Sequence, residues 1–185
     1  MASQSDPLDL ADSPPEPGDF LEPIEFILNE HYRQRRLCDR LDELTADMET
    51  SPVAQRAEAL QTFLTEDLRL HLEDEERDFF PLLRKRCTEE DEVGEILDML
   101  SQEHDLDRDL VGFLLEDLRI LASGHQLANP IRFLVNVREF TETQRRHLAW
   151  ENAMVLPLAR RRLNPGDLAE LGRSMAARRG LTLGA

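Results

Sequence analysis

Glycine is scarce in this chain, with 8 in 185 residues, and runs of β-branched residues are missing, so little in it favours strands or the tight turns that join them. No stretch approaches the roughly 18 uninterrupted apolar residues that a membrane helix needs, so no membrane span is expected. The opening residues, MASQSDPLDL, lack the basic start and apolar run of a secretory signal, and the expected location is the cytoplasm. Only two cysteines occur, Cys38 and Cys87. They stand too far apart for a CxxC metal or redox pair and read as reduced thiols on helices. Positive charge is also short: 22 basic against 38 acidic residues give a formal net charge of −16. A surface of that sign repels a phosphate backbone, which argues against DNA or RNA as partners.

What is present is helix. Apolar residues make up 41% of the chain, enough for one domain with a substantial core. They recur at three- and four-residue steps, as in Leu37, Leu41, Leu44 and in Leu106, Leu110, Phe113, Leu114, the period of an amphipathic helix. Three starts carry a capping residue followed by proline: Ser51-Pro52, Asn129-Pro130 and Asn164-Pro165. Thr88-Glu89-Glu90-Asp91 resembles a capping box. These signals predict helices over about 23–48, 52–86, 89–122 and 130–162, with a short fifth over about 165–178. Links of a few residues make sequential helices antiparallel, so the expected fold is all-α, an up-down-up-down four-helix bundle over 23–163 with a C-terminal helix and tail over 164–185.

The ends differ in charge. Residues 1–22 hold six acids, prolines at 7, 14, 15 and 17, and no base; a disordered acidic tail is expected there. Arg160, Arg161, Arg162, Arg173, Arg178 and Arg179 face only Asp167 and Glu170 at the other end. They read as a solvated basic face, with attraction to the acidic end as the alternative.

An internal repeat carries the functional signal. RLHLEDEERDFFPLLRKR, from Arg69 to Arg86, and RRHLAWENAMVLPLARRR, from Arg145 to Arg162, align on histidine. They share His71/His147, Glu75/Glu151 and Pro81/Pro157 among other positions. The first and third helices echo each other more faintly through Glu30-His31 and Glu103-His104. The chain thus reads as a duplicated helical hairpin with one histidine on each of four helices.

Residues four apart share a helix stripe, so His71 with Glu75 and His147 with Glu151 can each chelate. Their neighbours Leu68, Leu72, Phe79 and Leu82, and Leu148, Val155 and Leu158, point that stripe inward. A buried glutamate costs several kcal/mol unless a counter-charge is present, and two metal ions supply one. Imidazole suits iron, zinc, copper and nickel, and a carboxylate can bridge two metals. With 21 glutamates in the chain, a single HxxxE arises by chance about one time in ten, but two inside a repeat do not. The candidate ligands are His31, His71, Glu75, His104, His147 and Glu151, with room for a bridging oxide, hydroxide or water.

The order His31, His71-x-x-x-Glu75, His104, His147-x-x-x-Glu151, with Glu-His at 30–31 and 103–104 and Phe-Pro at 80–81, resembles the hemerythrin-like, HHE cation-binding domain over roughly residues 22–163. The resemblance implies two iron ions in a non-haem, oxo- or hydroxo-bridged centre, bridged by Glu75 and Glu151 and with two histidines on each iron. The oxygen-carrying members resemble HxxxH on the third helix, whereas this chain has Arg108 at that place. In this it is closer to members involved in iron–sulfur repair and nitric oxide chemistry. The expected function is a di-iron protein that binds or senses oxygen or nitric oxide, or handles iron. The alternatives are a di-iron enzyme reducing peroxide, oxygen or nitric oxide, and a metal-free helical interaction protein. An electron donor or iron-accepting protein is the expected macromolecular partner.

Other residues have plainer expected roles. His125 reads as an exposed loop histidine, and Arg35 and Arg108 as surface ion pairs rather than guards of the site. Asp67, Asp74 and Asp107 read as solvated acids, with the second ring hydrogen of a ligand histidine as their alternative use. Tyr32 and Trp150 are expected to pack between helices, and Pro81 and Pro157 to bend or end theirs. Glu-x-x-His pairs of the ferritin type and HExxH of the zinc proteases are both missing.

Overall fold

The computed structural model describes residues 14–48 and 52–183, and the described residues are helical without a strand. Helix α1 runs over Pro23–Ala46, and α2 over Val53–Thr65. The second rod continues through α3 (Asp67–Asp74), a π turn (Glu75–Phe79) and α4 (Phe80–Arg86). The third rod is α5 (Val93–Ala122); the fourth is α6 (Pro130–Trp150), a second π turn (Glu151–Val155) and α7 (Leu156–Arg162). Helix α8 covers Pro165–Arg178. Packing runs α1 on α2, α2 on α5, α5 on α6 and α6 on α1, which closes a ring of four rods.

Capping chemistry fixes several of these boundaries. Asn129 accepts from the Arg132 backbone N–H at 3.0 Å, and Asn164 and Asp167 form a reciprocal capping box, which satisfies backbone donors that helix starts leave open. Thr88 and Asp91 also form a capping box, but on a single 3-10 turn, Glu89–Asp91. Glu92 then adopts a left-handed φ of 49° and α5 begins at Val93, so the expected start at 89 is corrected to 93. Ser51 lies outside the described residues.

Two apolar clusters sandwich a polar layer. One gathers Ile24 and Ile27 of α1, Phe79 and Leu83 of the second rod, Leu97 and Leu100 of α5, and Val155 and Ala159 of the fourth rod. The other gathers Leu37 and Leu41, Leu60 and Leu64, Leu114 and Leu118, and Phe133 and Val137. The first cluster uses the earlier part of the first and third rods and the later part of the second and fourth. The six candidate ligands fall between the clusters on every rod.

Both ends of the described chain are tied to the first cluster. The expectation of disorder through residue 22 fails for Pro17–Leu21, a 3-10 turn whose Phe20 is 1% exposed; residues 1–13 lie outside the described ones. Phe20 sits against α8, where a Cβ on Gly172 would come within 2.1 Å of the Phe20 backbone oxygen. Backbone cannot yield as a flexible side chain does, so Gly172→Ala should destabilise the fold by about 1–3 kcal/mol, read as a lowered midpoint in a thermal melt. No helix is long and apolar enough to cross a membrane among the described residues.

Candidate metal centre

The six expected ligands meet. His31, His71, Glu75, His104, His147 and Glu151 are each between 0 and 4% exposed, although three rods separate some of them in sequence. Their Nε2 atoms face the two carboxylates. Glu75 Oε1 lies 3.1 Å from His71 Nε2 and 3.7 Å from His31 Nε2, and Glu75 Oε2 lies 3.5 Å from His104 Nε2. Glu151 Oε2 lies 3.3 Å from His31 Nε2 and 3.5 Å from His147 Nε2. His104 Nε2 and His147 Nε2 are 3.0 Å apart. Two groupings of donor atoms compact enough for a cation emerge: His31, His71, Glu75 and Glu151, and Glu75, His104 and His147.

The donor set fits metal on an observation of its own. Both oxygens of Glu75, both of Glu151 and the Nε2 of His31 are buried without a hydrogen-bond partner. Buried carboxylate oxygens cost free energy when unpaired, and nearly all in folded proteins find a donor. Four such oxygens, three of them beside imidazole nitrogens, suit a cation, and the mixed nitrogen and oxygen donors suit first-row transition metals.

Three of the other ring nitrogens are held by groups outside the six candidate ligands. His104 Nδ1 lies 2.6 Å from Glu76 Oε1, His147 Nδ1 3.1 Å from Glu103 Oε2, and His31 Nδ1 2.7 Å from Asn152 Oδ1. Each contact fixes the ring's tautomer, with Nδ1–H donating and Nε2 left free to bind. Hydrogen bonding to His104 holds Glu76 below the ordinary carboxylate range, and bonding to His147 does the same for Glu103. Glu76 and Asn152 occupy the same place in the repeat, one residue after each central glutamate. That register was the available signal.

Asp67, Asp74 and Asp107 go elsewhere. Asp67 pairs with Arg33, and Asp74 and Asp107 are buried rather than solvated, against Arg178 and Arg179 and against Gln144. Tyr32 and Trp150 are 56% and 42% exposed, which corrects their expected place between helices. A residue next to an inward ligand is turned about 100° away from it and reaches the surface. Arg108 forms an exposed pair with Asp105, and Arg35 and His125 are exposed. Cys38 is buried, and burial pushes its thiol up to about 12.

Proline shapes the site locally. Pro81 and Pro157 neither end nor precede the end of their rods; each follows a π turn that starts at a central glutamate. Proline lacks an N–H and crowds the carbonyl four residues back. The chain yields by adding a residue to the turn, and the N–H groups of Phe80 and Leu156 reach back five residues to Glu75 and Glu151. Such π turns recur at functional sites.

Without metal, protons take over the counter-charge. Burial disfavours a charged His71, but Glu75 outweighs it and raises the ring from 6.5 to about 9. Burial likewise opposes charge on His147, and Glu151 and Glu103 raise it to about 10. Glu75, despite burial, is held well below 4.5 by His71 and His31. Raised imidazoles stabilise fully below their unfolded value and lose that contribution as pH climbs through 9 to 10. The depressed Glu75 stabilises above 4.5 and loses its contribution in acid. The melting midpoint of metal-stripped protein should therefore fall from pH 7 to pH 10, while metal-loaded protein does not follow it, because cations replace the protons. A flat profile for stripped protein in parallel melts would refute this coupling.

A buried histidine and carboxylate cluster at the centre of a helical bundle is the arrangement of a cation-binding helical protein. Comparison of the sequence places it more closely. The hemerythrin HHE cation-binding domain matches residues 22–159, and the chain belongs to that family. An uncharacterized protein of Haemophilus influenzae is 29% identical over 162 residues, covering 85% of this chain and 90% of the relative.

Proposed function

We propose that this protein is a non-haem di-iron protein that binds or senses a small ligand such as oxygen or nitric oxide, or handles iron, in the cytoplasm. His31 and His71 would hold one iron, His104 and His147 the other, and Glu75 and Glu151 would bridge them. The observation that carries this reading is the pair of buried glutamates whose four oxygens have no hydrogen-bond partner, three of them within 3.7 Å of an imidazole Nε2. Against a metal-free interaction protein stands the convergence of the six side chains on one buried layer, in two groupings compact enough for a cation. The alternating order of the two apolar clusters along successive rods supports an up-down-up-down antiparallel bundle.

Two irons, when bound, supply Lewis acidity and a reversible change of oxidation state. This chain's own residues do the rest. Glu76, Glu103 and Asn152 hold three of the four imidazoles in one tautomer, and apolar clusters pack above and below the layer.

The test is elemental analysis and absorption spectroscopy of protein purified without added metal, followed by titration with nitric oxide and oxygen. Two irons per chain and stoichiometric ligand uptake are expected. Steady-state consumption of peroxide, oxygen or nitric oxide with an electron donor would instead favour an enzyme, and protein that keeps no metal when iron is supplied would sink the reading.

A further inference from the structure

One side of the buried layer borders a cleft of about 690 Å³, which lies between α2–α3 and α5 and reaches His104. Leu68 and Leu72 on one side and Val111 and Leu115 on the other give it apolar walls, with Glu76, Ser101, Asp107 and Gln144 beside His104. These residues lie on regular helix stripes, and α5 packs directly on α2, so side chains along both stripes would ordinarily meet. Gly112 interrupts the α5 stripe two turns from His104. Gly112 lines the cleft and a Cβ built there finds nothing within 4 Å, so a larger side chain at this position has room to project into it.

The lining also selects. Arg69 and Arg77 at the rim are both paired with Glu73, and Arg108 with Asp105, so these cations are already engaged with acids. The formal charge of −16 repels anions at a distance. The leucine and valine stretch penalises an ion that must shed its hydration to pass, and Glu76 and Asp107 beside His104 add to the repulsion of anions.

We propose that this cleft is the route by which small, uncharged, weakly hydrated molecules reach the metal layer, with Gly112 setting its width. The inference rests on the ligand-binding reading above, and it adds the chemical class admitted and the side from which it enters.

Two measurements test it. The first needs no iron chemistry: zinc-loaded protein is placed under xenon pressure and the methyl resonances of Leu68, Leu72, Val111 and Leu115 are followed. Shifts concentrated on these methyls are expected, and their loss in Gly112→Leu and Gly112→Phe; shifts elsewhere or none would overturn the proposal. The second is the association rate of nitric oxide with ferrous protein. Gly112→Phe should slow it by about 10-fold or more through the on-rate, with iron content and the spectrum of the bound form unchanged. Gly94→Phe on the same helix, where added atoms also meet open space, is the control and should bind at the wild-type rate. Gly112→Leu gives a smaller plug and a graded slowing if phenylalanine proves too large to fold. An unchanged rate in both plugged variants overturns the route while leaving the proposed function intact. Wild-type iron protein that takes up no nitric oxide at all overturns both.

Discussion

Glu151→Ala should lose its metal and keep its helices. Glu151 is fully buried, its two oxygens have no hydrogen-bond partner, and it lies within 3.5 Å of His31 and His147 on two different rods. Removing it deletes a carboxylate that lies beside both His31 and His147. Changes to groups that merely orient a ligand cost about 10–100-fold in metal affinity, so loss of the shared carboxylate itself should cost more than that. Bound metal stabilises the native state by mass action, about 4 kcal/mol at a thousandfold excess over the dissociation constant, and the variant should forfeit that gain. The helices do not depend on it, because the two apolar clusters on either side carry the packing. Iron content by elemental analysis, far-ultraviolet circular dichroism and melts with and without metal provide the check. Glu75→Ala should behave alike, and His125→Ala, in an exposed loop, should behave as wild type. Retention of wild-type iron by either glutamate variant would remove the basis for a shared carboxylate.

Asp74→Ala should be the most damaging change outside the six ligands, with a loss of about 3–5 kcal/mol. Asp74 is 1% exposed and accepts from both Arg178 and Arg179 of the C-terminal segment, the latter at 2.7 Å. Arg179 also lies 4.9 Å over the Phe26 ring and 5.5 Å over Phe20, so it cannot follow its lost partner into water without leaving an apolar contact. Burial pushes the Asp74 carboxyl upward, against the pull of Arg179 and Arg178. Such desolvated sets punish removal of one member far more than replacement of all. Asp74 directly precedes Glu75, so the variant should bind metal more weakly as well as melt earlier. Asp74→Asn, which keeps one acceptor, should fall between. A melting midpoint equal to wild type for Asp74→Ala would mean that the C-terminal helix is not anchored through this residue.

That anchor shows where sequence reading stops. The arginines at 178 and 179 look like a solvated basic end when only their neighbours in sequence are considered. They become part of the site's support because α8 folds back across the second rod, and nothing in a linear pattern gives that crossing. The same holds for Glu76, Glu103 and Asn152. Helical period says which face of its own helix a residue occupies, but a hydrogen bond to His104, His147 or His31 depends on how neighbouring rods are staggered. The π turns were half legible: the paired prolines announced a disturbance, and only the backbone revealed that it widens the helix rather than ending it.

The sequence by itself determined that the chain is helical, where most rods begin, and which six histidine and glutamate side chains meet in the buried layer. Those properties are local or repeated, since capping, periodicity and the HxxxE spacing act within a single helix. The tertiary structure alone decided which atoms lack partners, which groups lock the imidazoles, how the C-terminal arginines hold Asp74 and where a cleft reaches His104. These depend on distances between rods far apart along the chain, and packing sets those distances.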